Sequence, residues 1–392
     1  MNLIIIPFHD WRKSQKEGFR TRDVHFINAL NQNPSVDNIL VINRPTTQLE
    51  LLYKGNDKAI QGKLILKYKK FTLTEVKDNL YVIDYLSNDF LGQLFLKHLW
   101  FINKYNNKSY TDFIEMCNQI LSIKTTNLIV QNIFAYKLAM VLKAKVKVFD
   151  AWDNFLKFPA YRSIKSNLTH GYEILARETN LWITNSKENI LFFKSAFKPH
   201  QISLVKNGVK LNFLPKETLY PKDLALIKKP IIGFGGKVSH LMDYELINFL
   251  TKDNKNLSFV FVGQILDREI FDKIEKRENV FFLGDKKYSD YPNYVANFDV
   301  CIVPYNVKEK QHGGDSIKAY EYLLTGKKVV GTVGNGLQDL EDYIYLTATN
   351  KAFSKELKDQ QNNKSLINGS DFSWKTRCGY LLDLIKNEEV NS

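Results

Sequence analysis

The residues best suited to chemistry in this chain lie around position 320. Val303-Pro304-Tyr305 closes an apolar run. A polar stretch follows with His312-Gly313-Gly314-Asp315-Ser316, and then Ile317-Lys318-Ala319-Tyr320-Glu321-Tyr322. A glycine-rich turn that opens a helix presents unpaired backbone N–H groups and the positive end of the helix dipole, which suits a pyrophosphate. Lys318 and Glu321 are three residues apart and share one helix face. A cation for phosphate and a carboxylate for ribose hydroxyls would then point into one site, with Tyr305, Asp315 and Ser316 beside them. Taken in isolation, the same pair reads as a surface ion pair.

Three further constellations follow apolar runs. Gly233-Phe234-Gly235-Gly236-Lys237 offers a diphosphate open N–H groups at Gly236 and a point charge at Lys237. Its spacing is that of neither a P-loop nor a GxGxxG fingerprint, and a plain turn is the simpler alternative. Phe149-Asp150-Ala151-Trp152-Asp153-Asn154-Phe155 places two carboxylates beside aromatic residues. Asp153 or Asp150 could take a proton from an acceptor hydroxyl, while Asp153 or Asn154 could equally cap a helix. The loop from His9 to Arg22 leads into a helix. Gly18 allows close approach of backbone to a ligand, and Arg12, Lys13, Arg20 and Arg22 add positive charge for an anion. The alternative there is a solvated basic loop.

The elements that position these residues read as two α/β repeats. A chain of 392 residues suggests two or three domains. Near-continuous apolar runs mark buried parallel strands at 3–7, 38–42, 80–83, 128–130, 146–149, 181–184 and 202–205, with helical patterns between them. The pattern restarts at 231–234, 258–262, 280–283, 300–304 and 328–332, with helices expected at 243–251, 288–297 and 316–325. Pro215, Pro221 and Pro230 predict an irregular connection over 211–230. The expected division is an acceptor domain at 1–210, that connection, a donor domain at 231–370, and a C-terminal helix and tail at 371–392. In the last segment a helix over 374–386 would be capped by Ser370 or Asp371. Irregular structure is expected at the very end, around Asn387, Glu388, Glu389 and Asn391. The fold class expected is α/β with two doubly wound sheets, whose ligands bind beyond the carboxyl ends of the strands.

Composition excludes several classes. Hydrophobic residues make up 44% and charged residues 25%, which argues against a disordered chain. No stretch approaches ~18 uninterrupted apolar residues, as a membrane-spanning helix requires. The apolar start, Leu3-Ile4-Ile5-Ile6, reads as a strand, since it is too short for a signal peptide and lacks a basic flank. Cys117, Cys301 and Cys378 show neither metal nor disulfide spacing and point to a reducing, cytoplasmic setting. Residues 1–215 carry 30 Lys and Arg against 17 Asp and Glu, while the remainder carries 25 of each, so the whole net charge of +13 lies in the first half. That asymmetry suggests an anionic partner such as a phosphorylated substrate or acidic lipid headgroups. Lysine-rich genome composition is the plain alternative. No nucleic-acid recognition motif accompanies the charge.

The string from Asp315 to Val330 resembles the donor-site segment of GT-B glycosyltransferases, Ser-Pro-x-Lys-x-Phe-Glu-Tyr-x-Ala-x-Gly-Lys-Pro-Val-Val. Among these it looks like the family-4-like transferases of the teichuronic acid biosynthesis type. Phe149–Phe155 resembles their Asp-x-x-Asp-Asp-Phe stretch. Thr184-Asn185-Ser186 followed by Lys206-Asn207-Gly208-Val209 resembles another of their passages, and Ile231–Lys237, Phe259–Gly263 and Asn279–Gly284 follow in order. The resemblance spans roughly residues 120–350.

It implies GT-B architecture, two facing Rossmann-like domains with a cleft between them, and a metal-independent hexosyltransferase that needs no cofactor. The donor would be a nucleotide diphosphate sugar, with UDP-sugar favoured, and the acceptor a hydroxyl of a surface polysaccharide or lipid-linked glycan. Glu321 would bind the ribose and Lys318 a phosphate, with Asp315 and Ser316 near the sugar or diphosphate. The basic N-terminal domain would hold the acceptor and rest peripherally on the inner face of an anionic membrane. The chain departs from the pattern at Gly313, where the family has a first Glu, at Ile317 in place of Pro, and at Lys210 in place of Asp. A non-catalytic GT-B-like partner protein and a sugar-nucleotide epimerase are the alternative readings.

Overall fold

The computed structural model describes every residue except 215, 216, 218, 308–313, 335, 360, 362 and 392. The chain divides into two compact units, Met1–Val205 with Arg377–Ser392, and Lys206–Thr376. The division falls ahead of the expected 211–230 connection. The final helix, Trp374–Asn391, starts in the second unit and from Arg377 onward belongs to the first. The helix expected over 374–386 is present, runs on to Asn391 where a tail was expected, and from Arg377 is counted with the first unit rather than as a separate segment. Its cap is Ser373, whose hydroxyl accepts from the Thr376 N–H at 3.1 Å, not Ser370 or Asp371. Pro215 lies outside the described residues.

The first unit is built on one sheet of ten strands: β1 (Asn2–Ile6), β2 (Asn38–Ile42), β3 (Thr46–Thr47), β4 (Lys63–Tyr68), β5 (Phe71–Lys77), β6 (Leu80–Ser87), β7 (Asn127–Val130), β8 (Lys147–Asp150), β9 (Leu181–Thr184) and β10 (Ile202–Leu204). The order is β10-β9-β8-β7-β1-β2-β6-β5-β4, with β3 beside β6. All pairs are parallel except those of the β4–β5–β6 meander. The strands read from apolar runs are the central ones, since a parallel strand covered on both faces must be apolar throughout. Ile4, Ile6, Leu40, Ile42, Leu128 and Phe149 are all buried in its core. The strand order reverses at β1, so the crevice beyond β1 and β7 is this unit's switch point.

Three features differ from the sequence reading. The hairpin of β4 and β5 was not foreseen because β4 is largely exposed and carries no continuous apolar run; Lys69, at φ 53°, turns the chain between them. The helical pattern between β7 and β8 splits into a 3₁₀ turn, Ile133–Ala135, and a short helix, Tyr136–Val141. The C-terminal end is helical through Asn391, because Glu389 accepts from Asn127 at 2.7 Å and pairs with Lys145 at 3.1 Å.

The second unit holds a six-stranded parallel sheet: β11 (Ile231–Gly235), β12 (Ser258–Val262), β13 (Val280–Phe282), β14 (Val300–Val303), β15 (Lys328–Thr332) and the unforeseen β16 (Tyr345–Thr347). Its order is β13-β12-β11-β14-β15-β16, reversing between β11 and β14. The helices Tyr244–Asp253 and Ile317–Leu324 fall where apolar periodicity placed them; Asp243 caps the first at 2.9 Å. Gly326, at φ 69°, follows the second as a left-handed stop. The helix expected over 288–297 begins later, at Tyr291. Cys117, Cys301 and Cys378 are buried thiols. Among the described residues no helix is long and apolar enough to cross a membrane.

Candidate active site

In the second unit the loops after β11 and β14 meet at the switch point, where ligands of open α/β sheets bind. Strand β11 ends in Gly235 and Gly236. The Gly235 N–H donates to the Tyr322 hydroxyl at 2.6 Å, and that hydroxyl donates to the Gly235 carbonyl at 3.2 Å. The turn is thereby fastened to the helix Ile317–Leu324. Gly236 has φ 153°, and a Cβ there would stand 2.6 Å from Lys318 Cε and 2.9 Å from its Nζ. Gly263, at φ 151°, would put a Cβ 2.0 Å from the Gly236 carbonyl. Side chains are excluded so that the backbone of this turn and the lysine can lie against each other.

Lys318 is half-buried over the rings of Phe234 and Tyr305, at 5.0 and 4.9 Å from their centroids, and its ammonium donates to the Tyr305 hydroxyl. Among the described residues no carboxylate pairs with it. Its i+3 neighbour Glu321 points instead to Tyr288, whose hydroxyl donates to Oε1 at 2.6 Å. The surface ion pair that the spacing allowed is therefore not formed. Glu321 is 4% exposed. Burial pushes its carboxyl up to about 7; the Tyr288 hydrogen bond and the charges of Lys318 and Lys210 oppose this and do not offset it.

Ser316 precedes the helix, and its buried hydroxyl has no hydrogen-bond partner among the described residues. A buried polar atom left open beside free helix N–H groups is a position for a ligand oxygen. Asp315 is engaged otherwise. Its carboxylate accepts from the Asn207 N–H at 2.7 Å and from the Tyr320 hydroxyl at 2.9 Å, and its carbonyl accepts from the Asn207 side chain at 2.6 Å. It ties the Asn207-Gly208-Val209 passage to the donor segment rather than presenting its carboxylate to a sugar. Lys237 is half-buried next to Gly236. His312 and Gly313 lie outside the described residues.

In the first unit most cations of the basic loop are ion-paired, two of them to carboxylates from distant strands. Arg12 makes a two-pronged pair with Asp84 at 2.9 and 2.6 Å. Arg20 pairs with Glu17 at 3.1 Å, and Lys13 approaches Glu17 at 3.9 Å. Arg22 forks onto Asp150, at 3.0 Å from each oxygen, and donates to the Val205 carbonyl at 2.9 Å. Gly18, at φ 77°, only turns the chain after the short helix Trp11–Lys16. The expected anion loop of Gly18, Arg20 and Arg22 is thus a set of ion pairs. Asp150, also held by Gln131 at 3.0 Å, is a structural counter-ion with no free face.

Asp153 keeps chemical freedom. It is half-buried, Oδ1 has no hydrogen-bond partner among the described residues, and burial pushes its carboxyl well above the usual range. Thr184 steadies the loop by donating to the Ala151 carbonyl at 2.7 Å. Asn154, not Asp153, does the capping, accepting from the Leu156 N–H at 3.2 Å.

One pair escaped the sequence reading. His9 Nδ1 stands 3.0 Å from Asp23, which also accepts from the His9 backbone N–H at 2.8 Å and the Thr21 hydroxyl at 2.5 Å. Burial would raise the Asp23 carboxyl, but these partners more than offset it and hold it well below the ordinary range. An imidazole whose Nδ1 faces a carboxylate keeps Nε2 for a second partner. His9 lies beside Trp152, with ring centroids 6.4 Å apart. The signal available in sequence was His9 directly after β1 at a switch point; its partner fourteen residues on was not legible. Among the described residues no group of three or more His, Cys, Asp or Glu side chains could hold a metal ion.

Comparison with known proteins bears on this geometry. No protein-family model matches the chain. A Bacillus subtilis protein provisionally described as the teichuronic acid biosynthesis glycosyltransferase TuaH is 24% identical over 136 residues, a stretch covering 34% of this chain and 34% of that protein, about a third of its length. Three solved structures match nearly end to end. Sucrose-phosphate synthase from Thermosynechococcus elongatus superposes with a TM-score of 0.70 at 14% identity, covering 100% of both chains. The E. coli trehalose-6-phosphate synthase bound with UDP-2-fluoro glucose gives 0.62 at 9% identity, covering 100% of this chain and 96% of that one. The UDP-forming α,α-trehalose-phosphate synthase from Burkholderia xenovorans, in complex with glucose-6-phosphate, gives 0.62 at 11% identity, covering 98% and 100%. At these identities the likeness establishes architecture: the chain has the GT-B fold of these glycosyltransferases, two doubly wound α/β units in one polypeptide.

Proposed function

We propose that this protein is a glycosyltransferase that moves a sugar from a nucleotide diphosphate sugar to a hydroxyl of a surface-polysaccharide or lipid-linked glycan. The observation that carries the reading is the cluster at the second unit's switch point: Gly236 against Lys318, the Ser316 hydroxyl with no partner among the described residues, and buried Glu321 on the same helix. Uridine is the favoured base, because the E. coli structure holds UDP-2-fluoro glucose and the Burkholderia enzyme is UDP-forming.

In this reading the helix N–H groups, Lys318 and Lys237 take up the charge that develops on the departing diphosphate. Glu321 accepts the ribose hydroxyls. As the bond from the anomeric carbon to the diphosphate breaks, its electron pair leaves with the phosphate, and the acceptor oxygen forms the new bond. This reading gives the hydroxyl proton to His9 Nε2, oriented by Asp23, with Asp153 as the second candidate.

The test is a thermal-shift screen against UDP, GDP, CMP and UDP-sugars, with turnover measured alongside. A ligand at ~100 times its dissociation constant adds ~2.7 kcal/mol. UDP is expected to raise the melting temperature of the native protein and not of Glu321→Ala. His9→Gln should keep that shift and lose turnover. Absence of a shift with every nucleotide would sink the donor assignment. A shift without turnover on any acceptor would favour the partner-protein reading. Turnover of UDP-sugar without an acceptor would favour an epimerase.

The raised Glu321 carboxyl has its own consequence. Its folded value, about 7, lies above the unfolded 4.5, so the native state holds the proton more tightly. Stability from this group is fully present below 4.5 and is lost as pH rises to about 7. A ribose diol donates to the ionised form, so UDP affinity should rise with pH and level off above about 7. Titration calorimetry across that range checks it. Glu321→Gln should flatten the profile, and a flat native profile would contradict the assignment.

A further inference from the structure

Two neighbouring helices of the first unit are amphipathic in the wrong sense for a folded core. The helix Gln48–Tyr53 exposes Leu49, Leu52 and Tyr53, the last two at 79% and 89%. The helix Phe90–Leu96 buries none of its residues and exposes Phe90, Leu91, Leu94, Phe95 and Leu96, with Phe95 at 76%. Their mutual contacts are polar. The Thr47 hydroxyl donates to Gln93 at 2.6 Å, and Gln93 donates to Glu50. Glu50 also receives Arg44 at 2.5 Å, Lys54 at 2.6 Å and Thr46 at 3.0 Å. Burial would raise its carboxyl, but these cations and donors hold it at about 2. The polar network faces inward and, apart from buried Leu51, the apolar side chains face out.

Single exposed apolar residues need no explanation, but eight on two adjoining helices form a contiguous patch of the kind that marks an interaction surface. Three properties favour a bilayer over a protein. The side chains protrude from short helices rather than lining a groove. Exposed Lys97 stands at the C-terminal end of the second helix, at the edge of the apolar side chains, and Lys54, paired with Glu50, ends the first. The half of the chain that carries them holds the whole +13 net charge. Aromatic and leucine side chains with flanking lysines are the composition of an interfacial, in-plane anchor.

We propose that these two helices are a membrane-docking ledge, inserting Leu52, Tyr53, Leu94 and Phe95 into the headgroup–acyl boundary of an anionic bilayer. The inference stands independently of the donor-site reading. It is tested by sedimenting the full chain with phosphatidylcholine vesicles, with and without phosphatidylglycerol, at low salt and at ~0.15 M salt. The native protein is expected to bind vesicles containing phosphatidylglycerol, and more weakly as salt rises. Leu52→Glu/Phe95→Glu should weaken binding by at least about tenfold, and Lys97→Glu by about tenfold. Leu52, Phe95 and Lys97 are exposed, so folding and any UDP-induced thermal shift should be unchanged, which separates failure here from failure of the donor site. No vesicle binding by the native protein, or equal binding by Leu52→Glu/Phe95→Glu, overturns the proposal. A dimer that dissociates in that variant, without vesicle binding, overturns it in favour of a second copy of the chain as the occupant.

Discussion

Replacing Lys318 by methionine should lower sugar-transfer turnover about 10²–10³-fold, equivalent to about 2.7–4 kcal/mol of transition-state stabilisation, the scale set by removing one preorganised donor aimed at developing charge. Several features make this group more than a surface lysine. Its ammonium has no carboxylate partner among the described residues and is held against the Tyr305 hydroxyl and two aromatic faces. Gly236 leaves the backbone room to approach it. Methionine keeps the aliphatic stem that packs on Phe234, so the fold should survive and the charge alone should be lost. Arginine should rescue poorly, because its planar fork does not reproduce a point charge beside a glycine turn. Steady-state turnover with saturating UDP-sugar measures the effect. A loss within about threefold would remove Lys318 from the leaving-group role.

Asp150→Ala should cost the first unit about 3–5 kcal/mol, since it leaves the Arg22 guanidinium buried without its counter-ion. The effect is on stability and not on chemistry, which separates Asp150 from Asp153. Four of the five tryptophans, Trp11, Trp100, Trp152 and Trp182, belong to this unit. Tryptophan fluorescence during urea unfolding therefore reports chiefly on it. The double replacement Arg22→Met/Asp150→Leu should recover most of the loss, because apolar residues of similar volume remove both charges. An Asp150→Ala protein with native stability and no turnover would reverse the assignment and make Asp150 catalytic.

The parts of the site legible in sequence were those written in local spacing. The helix starting at Ile317, its Gly326 stop, and the glycine turn after β11 all follow from neighbouring residues and stand where they were read. Lys318 and Glu321 on one face also follow from helical geometry. That they ignore each other does not: Lys318 turns to Tyr305 and Glu321 to Tyr288, residues that arrive from other loops. The basic loop was misread for the same cause. Its cations looked available because their partners, Asp84 for Arg12 and Asp150 for Arg22, are 72 and 128 positions away. Asp315 resembled a sugar-binding residue until the fold brought Asn207 to it across 108 positions.

The apolar ledge makes the point from the opposite side. Phe90-Leu91-Gly92-Gln93-Leu94-Phe95-Leu96 reads as a buried segment in any local window, yet the fold buries none of it. By itself the sequence determined the central strands of both sheets and their parallel pairing, the helix Ile317–Leu324 with its stop at Gly326, and which half carries the charge. These properties depend on the period of apolar residues and on backbone preferences within a few positions. Only the tertiary structure decided which charges are neutralised, which carboxylates are pushed up by burial, and which apolar faces stay open. Those depend on solvent exclusion and on partners brought close by chain crossing, and neither quantity is a property of local sequence.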